Sequence, residues 1–470
     1  MTGGHVAVID IGKTNAKLAL VDPTDLSEIA VVTQPNTVRP GPPYPHFDVE
    51  RHWAFLLDNL RSLHGEHGVA AITITTHGAA AALIGREGAL AAPILDYEYT
   101  GPERLAPAYD ALRPPFSETG SPRLAMGLNV GAQLHYQFET LPGVRAATRS
   151  VVTYPQYWAL RLTGVAATDV TSLGAHTDLW NPFEGRFSAL VDRLGLAGKM
   201  APPRPCGDVL GPILPEIATR TGLPADTPVH CGLHDSNASL VPHLLHRSAP
   251  FSVLSTGTWV IAMAVGGAPV TLDPARDTLV NVNAFGDPVP SARFMGGREH
   301  DLATGGAYPE PTAADIRRVL TAGTMLLPAL VPEIGPFAGR KARWVGAEPE
   351  MGTVARGVCT GLYLALVASQ CLELIGHRGP IVVEGPFAAN MGFKWMLGAA
   401  TGCSVETSGG TTGTSQGAAL LAHRGARAPG PPSVRSAPAP EPAPPRETVT
   451  LLERYAREWR RHAQHGAPSR

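Results

Sequence analysis

The chain has 470 residues, of which 44% are hydrophobic and 17% charged, and its formal net charge at pH 7 is −2. A chain of this length exceeds what one hydrophobic core organises, so we expect a globular protein with two large domains. The nearly balanced charge offers no basic surface for nucleic acid and no acidic tail, so nucleic-acid binding is excluded as the main function.

The cysteines and the apolar stretches indicate the compartment. The five cysteines are scattered and lack the spacing of a metal site, which predicts a reducing environment without disulfides or structural zinc. The first five residues contain no leader sequence and run directly into an apolar segment. The longest uninterrupted apolar stretches, such as 362–368, are shorter than the ~20 residues that cross a bilayer. We therefore expect a cytoplasmic protein with no membrane partner.

The first motif is a predicted β-hairpin near the N-terminus. Apolar runs at 5–10 and 18–22 flank a turn that is unusually rich in polar groups. The turn residues are Gly12, Lys13, Thr14, Asn15 and Lys17. Backbone N–H groups beside a glycine, a hydroxyl and a lysine can hold phosphate, and Asp10 could hold Mg²⁺ through water. The turn is not a Walker A loop, because no GxxxxGK[ST] sequence is present. A surface hairpin without a function explains the pattern equally well.

A helix at 49–64 is followed by a strand at 69–76 that ends in His77-Gly78. In a βαβ-type unit such a strand end borders the ligand crevice, so His77 could hydrogen-bond a polyol. A structural histidine is the plainer alternative.

The strand-like run 228–232 leads through Leu233 and His234 to Asp235, and a run of small residues that favours a helix follows. A carboxylate at the end of a strand could take a proton from a substrate hydroxyl. The alternative is that Asp235 only caps the following helix.

The second half repeats the opening pattern at 251–263, where two strands flank a turn carrying Thr256, Gly257 and Thr258. This predicts an internal repeat with a phosphate-binding turn in each half, although hairpins with such turns are common. A long apolar helix at 356–375 and a buried strand at 381–383 come next. The glycine-rich loop 408–414 and the small-residue helix 415–422 leave room for a planar ring or for close helix packing.

The C-terminal part divides into a Pro/Ala-rich stretch at 426–446 and a charged helix with an apolar stripe from 447 onward. The first is predicted to be a flexible linker. We expect the helix to dock on the body of the protein or on a second subunit, which allows a homodimer.

The order of five motifs resembles that of the FGGY carbohydrate kinases, in the ATPase superfamily of actin, hexokinase and the heat-shock chaperones. The matching segments span about residues 5–423, and they are 9–17, 232–235, 255–259, 383–386 and 416–422. Each motif is weakly specific, but five in this order form a specific signature.

The resemblance implies an α/β protein with two RNase H-like (actin-like ATPase) domains and a cleft between them. Residues 1–245 would bind sugar and residues 246–425 would bind nucleotide, followed by a linker at 426–446 and a C-terminal helix at 447–470. ATP and Mg²⁺ are the implied cofactors and a small-molecule sugar is the implied partner. Asp235 would be the base that activates a primary hydroxyl, and Asp10 would position the metal.

Further site residues follow from the same resemblance. The implied nucleotide contacts are Gly12, Lys13, Thr14, Asn15, Lys17, Thr256, Gly257, Thr258, Gly385, Pro386 and Asn390. The implied sugar contacts are His77, Gly78, Asp96, Glu98, His234 and Asp235.

The chain departs from the common family pattern at two places. Segment 384–390 replaces a Gly-Gly-Gly run, and Asp96-Tyr97-Glu98 replaces a Trp-x-Asp substrate segment. His77-Gly78 is similar to the xylulose kinases, whereas Gly296-Gly297-Arg298-Glu299 and the Ile-Gly-Lys-Thr-Asn turn are similar to the rhamnulose and fuculose kinases. The expected substrate is a ketose or deoxyketose, with L-fuculose and L-rhamnulose first and a xylulose-type pentulose or a polyol next. A non-catalytic ATP- or sugar-binding regulator is the other class, and the presence of Asp235 favours an enzyme.

Overall fold

The structure is a computed structural model that describes residues 4–408, 413–424 and 443–464. It divides into two compact units, and the chain passes between them more than once. The first unit contains Met1–His246, Val280–Pro288 and the described segment 413–424, and the second contains the remaining described residues. The expected domains were continuous in sequence, so the assignment of 280–288 and 413–424 to the first unit differs from that expectation.

Residues 4–246 contain thirteen strands and ten helices. The strands are β1 (His5–Ile11), β2 (Asn15–Val21), β3 (Glu28–Pro35), β4 (Val38–Arg39), β5 (His46–Phe47), β6 (Val69–Thr76), β7 (Ala81–Ile84), β8 (Ser150–Thr153), β9 (Trp180–Asn181), β10 (Arg186–Phe187), β11 (Val209–Pro212), β12 (Pro228–His230) and β13 (Leu233–His234). The helices are α1 (Val49–His67), α2 (Ala106–Leu112), α3 (Phe116–Thr119), α4 (Val130–Thr140), α5 (Val144–Ala147), α6 (Tyr154–Thr163), α7 (Val170–Leu173), α8 (Ala189–Arg193), α9 (Pro215–Thr221) and α10 (Asp235–His246).

The described residues from 247 onward contain eight strands and six helices. The strands are β14 (Phe251–Thr256), β15 (Val260–Val265), β16 (Thr278–Val282), β17 (Pro288–Phe294), β18 (Met325–Leu327), β19 (Arg343–Val345), β20 (Ile381–Glu384) and β21 (Val405–Thr407). The helices are α11 (Gly296–Thr304), α12 (Ala313–Ala322), α13 (Val354–Leu374), α14 (Met391–Thr401), α15 (Thr414–Arg424) and α16 (Arg446–Gln464).

The main sheet of the first unit has the order β11-β12-β6-β1-β2-β3, with β13 also paired to β6. Strands β1, β2 and β3 are antiparallel neighbours, whereas β6 runs parallel to both β1 and β12. The central strands β1 and β6 are buried along most of their length, as expected for strands covered on both faces. The predicted opening hairpin is confirmed as β1 and β2.

The second unit repeats this arrangement. Strands β17, β15, β14, β20 and β21 lie side by side in that order. Here β17, β15 and β14 are antiparallel neighbours, while β20 runs parallel to both β14 and β21. The internal repeat that the two hairpins predicted is therefore confirmed at the level of the whole sheet.

Helix α13 is the longest apolar element of the second unit. By length and composition it is the one helix among the described residues that could cross a membrane, contrary to what its uninterrupted apolar runs predicted. However, 83% of its most apolar window is buried inside the structure. The core of the second unit, to which most of its side chains belong, accounts for that apolar composition.

Helix α16 packs on the second unit, which confirms the first of the two expected docking positions. The Trp459 indole donates to the backbone oxygen of Leu326 at 2.7 Å, and the Tyr455 hydroxyl donates to that of Thr324 at 2.7 Å. Both aromatic side chains are buried. The predicted linker and the predicted loop 408–414 lie mostly outside the described residues, at 425–442 and 409–412.

Helices α10 and α15 of the first unit approach closely at a glycine. A Cβ atom on Gly417 would lie 1.7 Å from the backbone oxygen of Ala238. The small residues of α15 are therefore explained at this position by helix packing, the second of the two alternatives that the sequence left open.

We expect Gly417→Ala to destabilise the protein by about 1–3 kcal/mol, because the new methyl group must push α10 away from α15. Gly398→Ala, within α14, is the matched control. Its new Cβ would meet nothing closer than 3.5 Å, so the better helix propensity of alanine should leave stability unchanged or raised by up to about 1 kcal/mol. Urea unfolding of both variants measures the difference, and equal midpoints would contradict the role of packing at Gly417.

Glu299 links α11 to α13 inside the second unit and is only 2% exposed. Its carboxylate accepts hydrogen bonds from the Tyr363 hydroxyl at 2.7 Å and from the Val331 N–H at 3.2 Å. Burial is the main cause that raises the pKa of Glu299 to about 7, against the lowering effect of these bonds.

This raised pKa predicts a pH-dependent stability. Between pH ~4.5 and ~7 the folded protein keeps a proton that the unfolded chain has lost, so the contribution is fully present below pH 4.5 and declines as pH rises through 7. Its size is on the order of 3 kcal/mol. Glu299→Gln should flatten this part of the stability profile when unfolding is measured at pH 5 and pH 8. The exposed Glu333→Gln is the control and should keep the wild-type slope; a wild-type slope in Glu299→Gln would refute the assignment.

Candidate active site

Asp235 lies where the main sheet of the first unit gives way to helix α10. Strand β13 pairs with the end of β6, and Asp235 follows it as the first helical residue. Gly232, just before β13, has φ +83° and passes so near β6 that a Cβ would lie 2.4 Å from the Ile74 oxygen. Only glycine fits this position without strain, so the strand end that presents Asp235 depends on it.

The two oxygens of the Asp235 carboxylate have different surroundings. Oδ1 accepts a hydrogen bond from the Ser236 N–H at 2.6 Å and lies 3.2 Å from His234 Nε2. Within the described part of the chain, no hydrogen bond reaches Oδ2, and the side chain is 28% exposed. Contact with the first turn of the helix and proton acceptance, the two alternatives for this residue, are therefore compatible.

Asp10 lies at the end of β1, close enough to Asp235 for their charges to interact. The Thr414 hydroxyl donates to Asp10 Oδ2 at 2.6 Å, and the Lys17 ammonium lies 3.4 Å from the same oxygen. Burial raises the pKa of Asp10, Lys17 and Thr414 lower it, and Asp235 raises it. Thr414 was missed by the sequence analysis, because nothing in its local sequence connects it with a residue 404 positions away.

Among the described residues there is no group of three or more His, Cys, Asp or Glu side chains that could hold a metal by themselves. Mg²⁺ in kinases commonly takes one or two carboxylates together with substrate phosphates. Asp10, the carboxylate that was predicted to position the metal, fits that smaller donor set.

Lys13, predicted to contact phosphate, points to the predicted sugar segment. Its ammonium pairs with Asp96 and lies 3.1 Å from a Glu98 oxygen. It also lies over the ring of Tyr97 at 4.7 Å. The structure thus brings one predicted nucleotide residue and two predicted sugar residues into one charged cluster, while Thr14 remains exposed in the turn.

His77 is buried between aromatic rings in the first unit. Ring centroids of Phe47 and Tyr154 lie 4.9 and 5.0 Å away. Burial lowers the pKa of His77 to about 4, so the ring is neutral at pH 7. Nδ1 donates to the Gly78 oxygen at 2.7 Å, which leaves Nε2 as an acceptor. Nε2 is buried and finds no partner in the described structure. Buried acceptors usually have a partner, so His77 Nε2 is an unsatisfied acceptor, and its contact with a sugar stays a prediction.

In the second unit, Thr256 and Gly385 hold the turn that follows β20. Thr256 Oγ1 donates to the Glu384 oxygen and accepts from the Phe387 N–H at 3.1 Å. Gly385 has φ +77°, and a Cβ there would lie 1.9 Å from the Thr256 oxygen. Both residues were predicted to bind nucleotide, and the contacts seen here are structural.

A cavity of about 590 Å³ lies beside this turn, within the size range of small-molecule sites. Four predicted nucleotide residues line it, namely Gly257, Thr258, Pro386 and Asn390. Asn390 also caps α14 by accepting from the Phe393 N–H at 2.9 Å. The structure thus brings predicted residues from two distant segments into one pocket.

Other residues of this cavity were missed by the sequence analysis. They include Arg298, His300 and Tyr308, with the His300 and Tyr308 rings 5.8 Å apart and those of His300 and Phe387 6.1 Å apart. Such rings can stack on a planar base. The only signal in the sequence was the Gly296-Gly297-Arg298-Glu299 run, which was interpreted as a likeness to the rhamnulose and fuculose kinases and not as part of a nucleotide site.

Comparisons with known proteins match both halves of the chain to one family. The model of the N-terminal domain of the FGGY family of carbohydrate kinases matches residues 5–242, and that of the carbohydrate kinase FGGY C-terminal domain matches residues 248–429. An L-fuculokinase of Salmonella typhi is 26% identical over 281 residues, which are 56% of this chain and 57% of that protein. An L-fuculokinase of Escherichia coli (strain K12) is 26% identical over 203 residues, 42% of this chain and 41% of that protein. The chain thus spans about half the length of these curated relatives.

Solved structures give the same result over a larger part of the chain. A carbohydrate kinase from Novosphingobium aromaticivorans has a TM-score of 0.83 at 41% identity, covering 88% of this chain and 93% of that chain. A xylulose kinase from Rhodospirillum rubrum has a TM-score of 0.78 at 19% identity over 98% of both chains, which is a likeness of fold alone. With both family domains matched in order, the chain belongs to the FGGY family of carbohydrate kinases.

Proposed function

We propose that this protein transfers the γ-phosphoryl group of ATP to a primary hydroxyl of a ketose or deoxyketose, with Asp235 as the general base. The observation that carries the proposal is the Asp235 carboxylate, partly exposed at a strand end with Oδ2 unbonded among the described residues. A residue that served only to cap α10 would not need this second oxygen in a polar, accessible place.

The proposed roles divide between the two units. In the first unit, His77 Nε2 accepts a hydrogen bond from a sugar hydroxyl, and Lys13 orients Asp96 and Glu98 toward the others. In the second unit, the cavity lined by Thr258, Pro386 and Asn390 holds the nucleotide. ATP, when bound, supplies the phosphoryl group, and Mg²⁺ offsets the charge of its phosphates. Asp235 accepts the hydroxyl proton, which makes the oxygen a better nucleophile.

The preferred substrates are L-fuculose- and L-rhamnulose-type ketoses. The 26% identity to two L-fuculokinases supports this choice, as do the Gly296–Glu299 run and the form of the first turn. A xylulose-type pentulose ranks next because of His77-Gly78. As part of the same proposal, we place the enzyme in the cytoplasm.

A coupled ADP-release assay with Mg-ATP against ketoses, deoxyketoses, polyols and aldoses tests the substrate. We expect one deoxyketose to exceed all other sugars in kcat/KM by at least about tenfold, because a hydroxyl-specific site leaves its polar groups unpaired with the wrong sugar. A pentulose responding best would replace the deoxyketose assignment. No response to any sugar, with ATP still bound, would favour the non-catalytic regulator.

Asp235→Asn should lower kcat by about 10²–10⁴-fold, because the amide cannot accept the hydroxyl proton. ATP affinity, measured by calorimetry, should stay within about twofold, since Asp235 is not among the residues that line the proposed nucleotide cavity. The exposed Asp226→Asn changes the same charge elsewhere in the first unit and should keep full activity. Wild-type turnover by Asp235→Asn would remove Asp235 as the base.

Asp10→Asn should raise the Mg²⁺ concentration needed for half-maximal activity by about tenfold or more, because the proposed carboxylate donor is lost. Thr414→Ser keeps the hydroxyl that bonds Asp10 and should retain the wild-type requirement. The measurement is initial rate against free Mg²⁺ at saturating ATP and sugar. An unchanged Mg²⁺ requirement in Asp10→Asn would show that Asp10 does not position the metal.

A further inference from the structure

A second cavity in the second unit has no role in the proposed reaction. Its volume is about 740 Å³, larger than the proposed nucleotide cavity and within the range of small-molecule sites. Its walls come from the segments 275–276, 336–340 and 369–377, the end of α14 and the end of α16. None of its lining residues lines the nucleotide cavity.

Three arginines give this cavity a positive charge. Arg276, Arg340 and Arg460 come from three separate segments, and each is partly buried rather than extended into solvent. Glu373 is the one carboxylate in the lining, and it accepts from Gln370 at 3.1 Å. The lining therefore has an excess of two positive charges.

The guanidinium groups use few of their donors on the protein. Arg276 donates to the Pro336 backbone oxygen at 3.1 Å, and Arg460 donates to that of Ala400 at 2.6 Å. Arg340 lies over the Phe337 ring at 5.4 Å. Within the described chain, none of the three forms an ion pair with a carboxylate. Since each guanidinium has five N–H donors, most remain available for a ligand.

Arg276 and Arg340 lie close enough for their like charges to interact. Burial is the main cause that lowers the pKa of Arg340, and the nearby charge of Arg276 lowers it further. Partly buried cations are normally stabilised by an opposite charge. A bound anion would provide that charge for both residues.

The site lies partly outside the part of the chain that defines the family. Arg460 belongs to α16, whereas the match to the family's C-terminal domain ends at residue 429. The cavity is therefore completed by an element that lies outside this match.

We propose that this cavity binds a small, soluble organic phosphate that carries at least two negative charges, at a site separate from the nucleotide and sugar sites. Planar guanidinium groups bind phosphate oxygens in pairs, which favours a phosphate over a single carboxylate. Three such groups around 740 Å³ fit a sugar phosphate or a compound of similar size. The proposal does not depend on kinase activity, because it is tested by binding alone.

The test is calorimetric titration of the full chain with inorganic pyrophosphate, in buffer without Mg²⁺ at 150 mM salt. We expect Arg340→Gln and the double variant Arg276→Gln/Arg340→Gln to weaken binding by about tenfold and about a hundredfold. Arg317→Gln removes the same charge from the exposed face of α12 and should bind within about twofold of wild type.

Two further measurements test whether the anion binds elsewhere or belongs to a membrane surface. Arg298→Gln changes the nucleotide cavity. If Arg298→Gln loses pyrophosphate binding while Arg340→Gln keeps it, the anion binds in the nucleotide site and the proposal is overturned. Binding to anionic phospholipid vesicles without binding to pyrophosphate would also overturn it.

Unfolding midpoints without ligand complete the test. If the arginines bind a ligand, Arg340→Gln should be at least as stable as wild type, because a repulsion is removed. If instead Arg340 is structural, the variant unfolds earlier and binds pyrophosphate as wild type does, and the proposal fails.

Discussion

The placement of Asp235 depends on a steric constraint, the contact between a glycine and a strand carbonyl. A side chain at position 232 would begin 2.4 Å from the Ile74 oxygen, so the chain can turn from β12 toward α10 only where a side chain is absent. The second unit has the same constraint at Gly385, next to the Thr256 oxygen. Each sheet thus ends in a turn whose backbone is fixed by packing. This fixed backbone also holds the polar groups nearby in place.

Charge pairing then distinguishes Asp235 from the other acids of the candidate site. Asp10 has Lys17 as a partner, and Asp96 shares Lys13 with Glu98. Asp235 has no lysine or arginine within ion-pair distance in the described structure, and only His234 lies near it. An acid that shares a cation is better suited to orient a ligand or a metal, whereas a carboxylate without such a partner agrees with the proposed role of Asp235 as the base.

Local sequence patterns predicted the secondary-structure elements but not the contacts between residues that are distant in sequence. Both hairpins and the strand-to-helix turn at Asp235 could be predicted because each depends on neighbouring residues. The Thr414–Asp10 bond, the Lys13–Asp96 pair and the convergence of His300 and Asn390 join residues far apart in sequence, and no short motif encodes such pairs. Lys13 shows the difference most clearly, since its position in a turn suggested phosphate while its partners lie in another segment.

Helix α16 changes what should count as the end of this protein's core architecture. Trp459 packs edge-on against Phe337, and its indole hydrogen bond reaches Leu326, although the matched family domain ends thirty residues earlier, at 429. A chain that ended at residue 429 would leave the apolar surface beneath α16 exposed in the second unit. The final helix is therefore a structural part of the second unit's core and not an appendage to it.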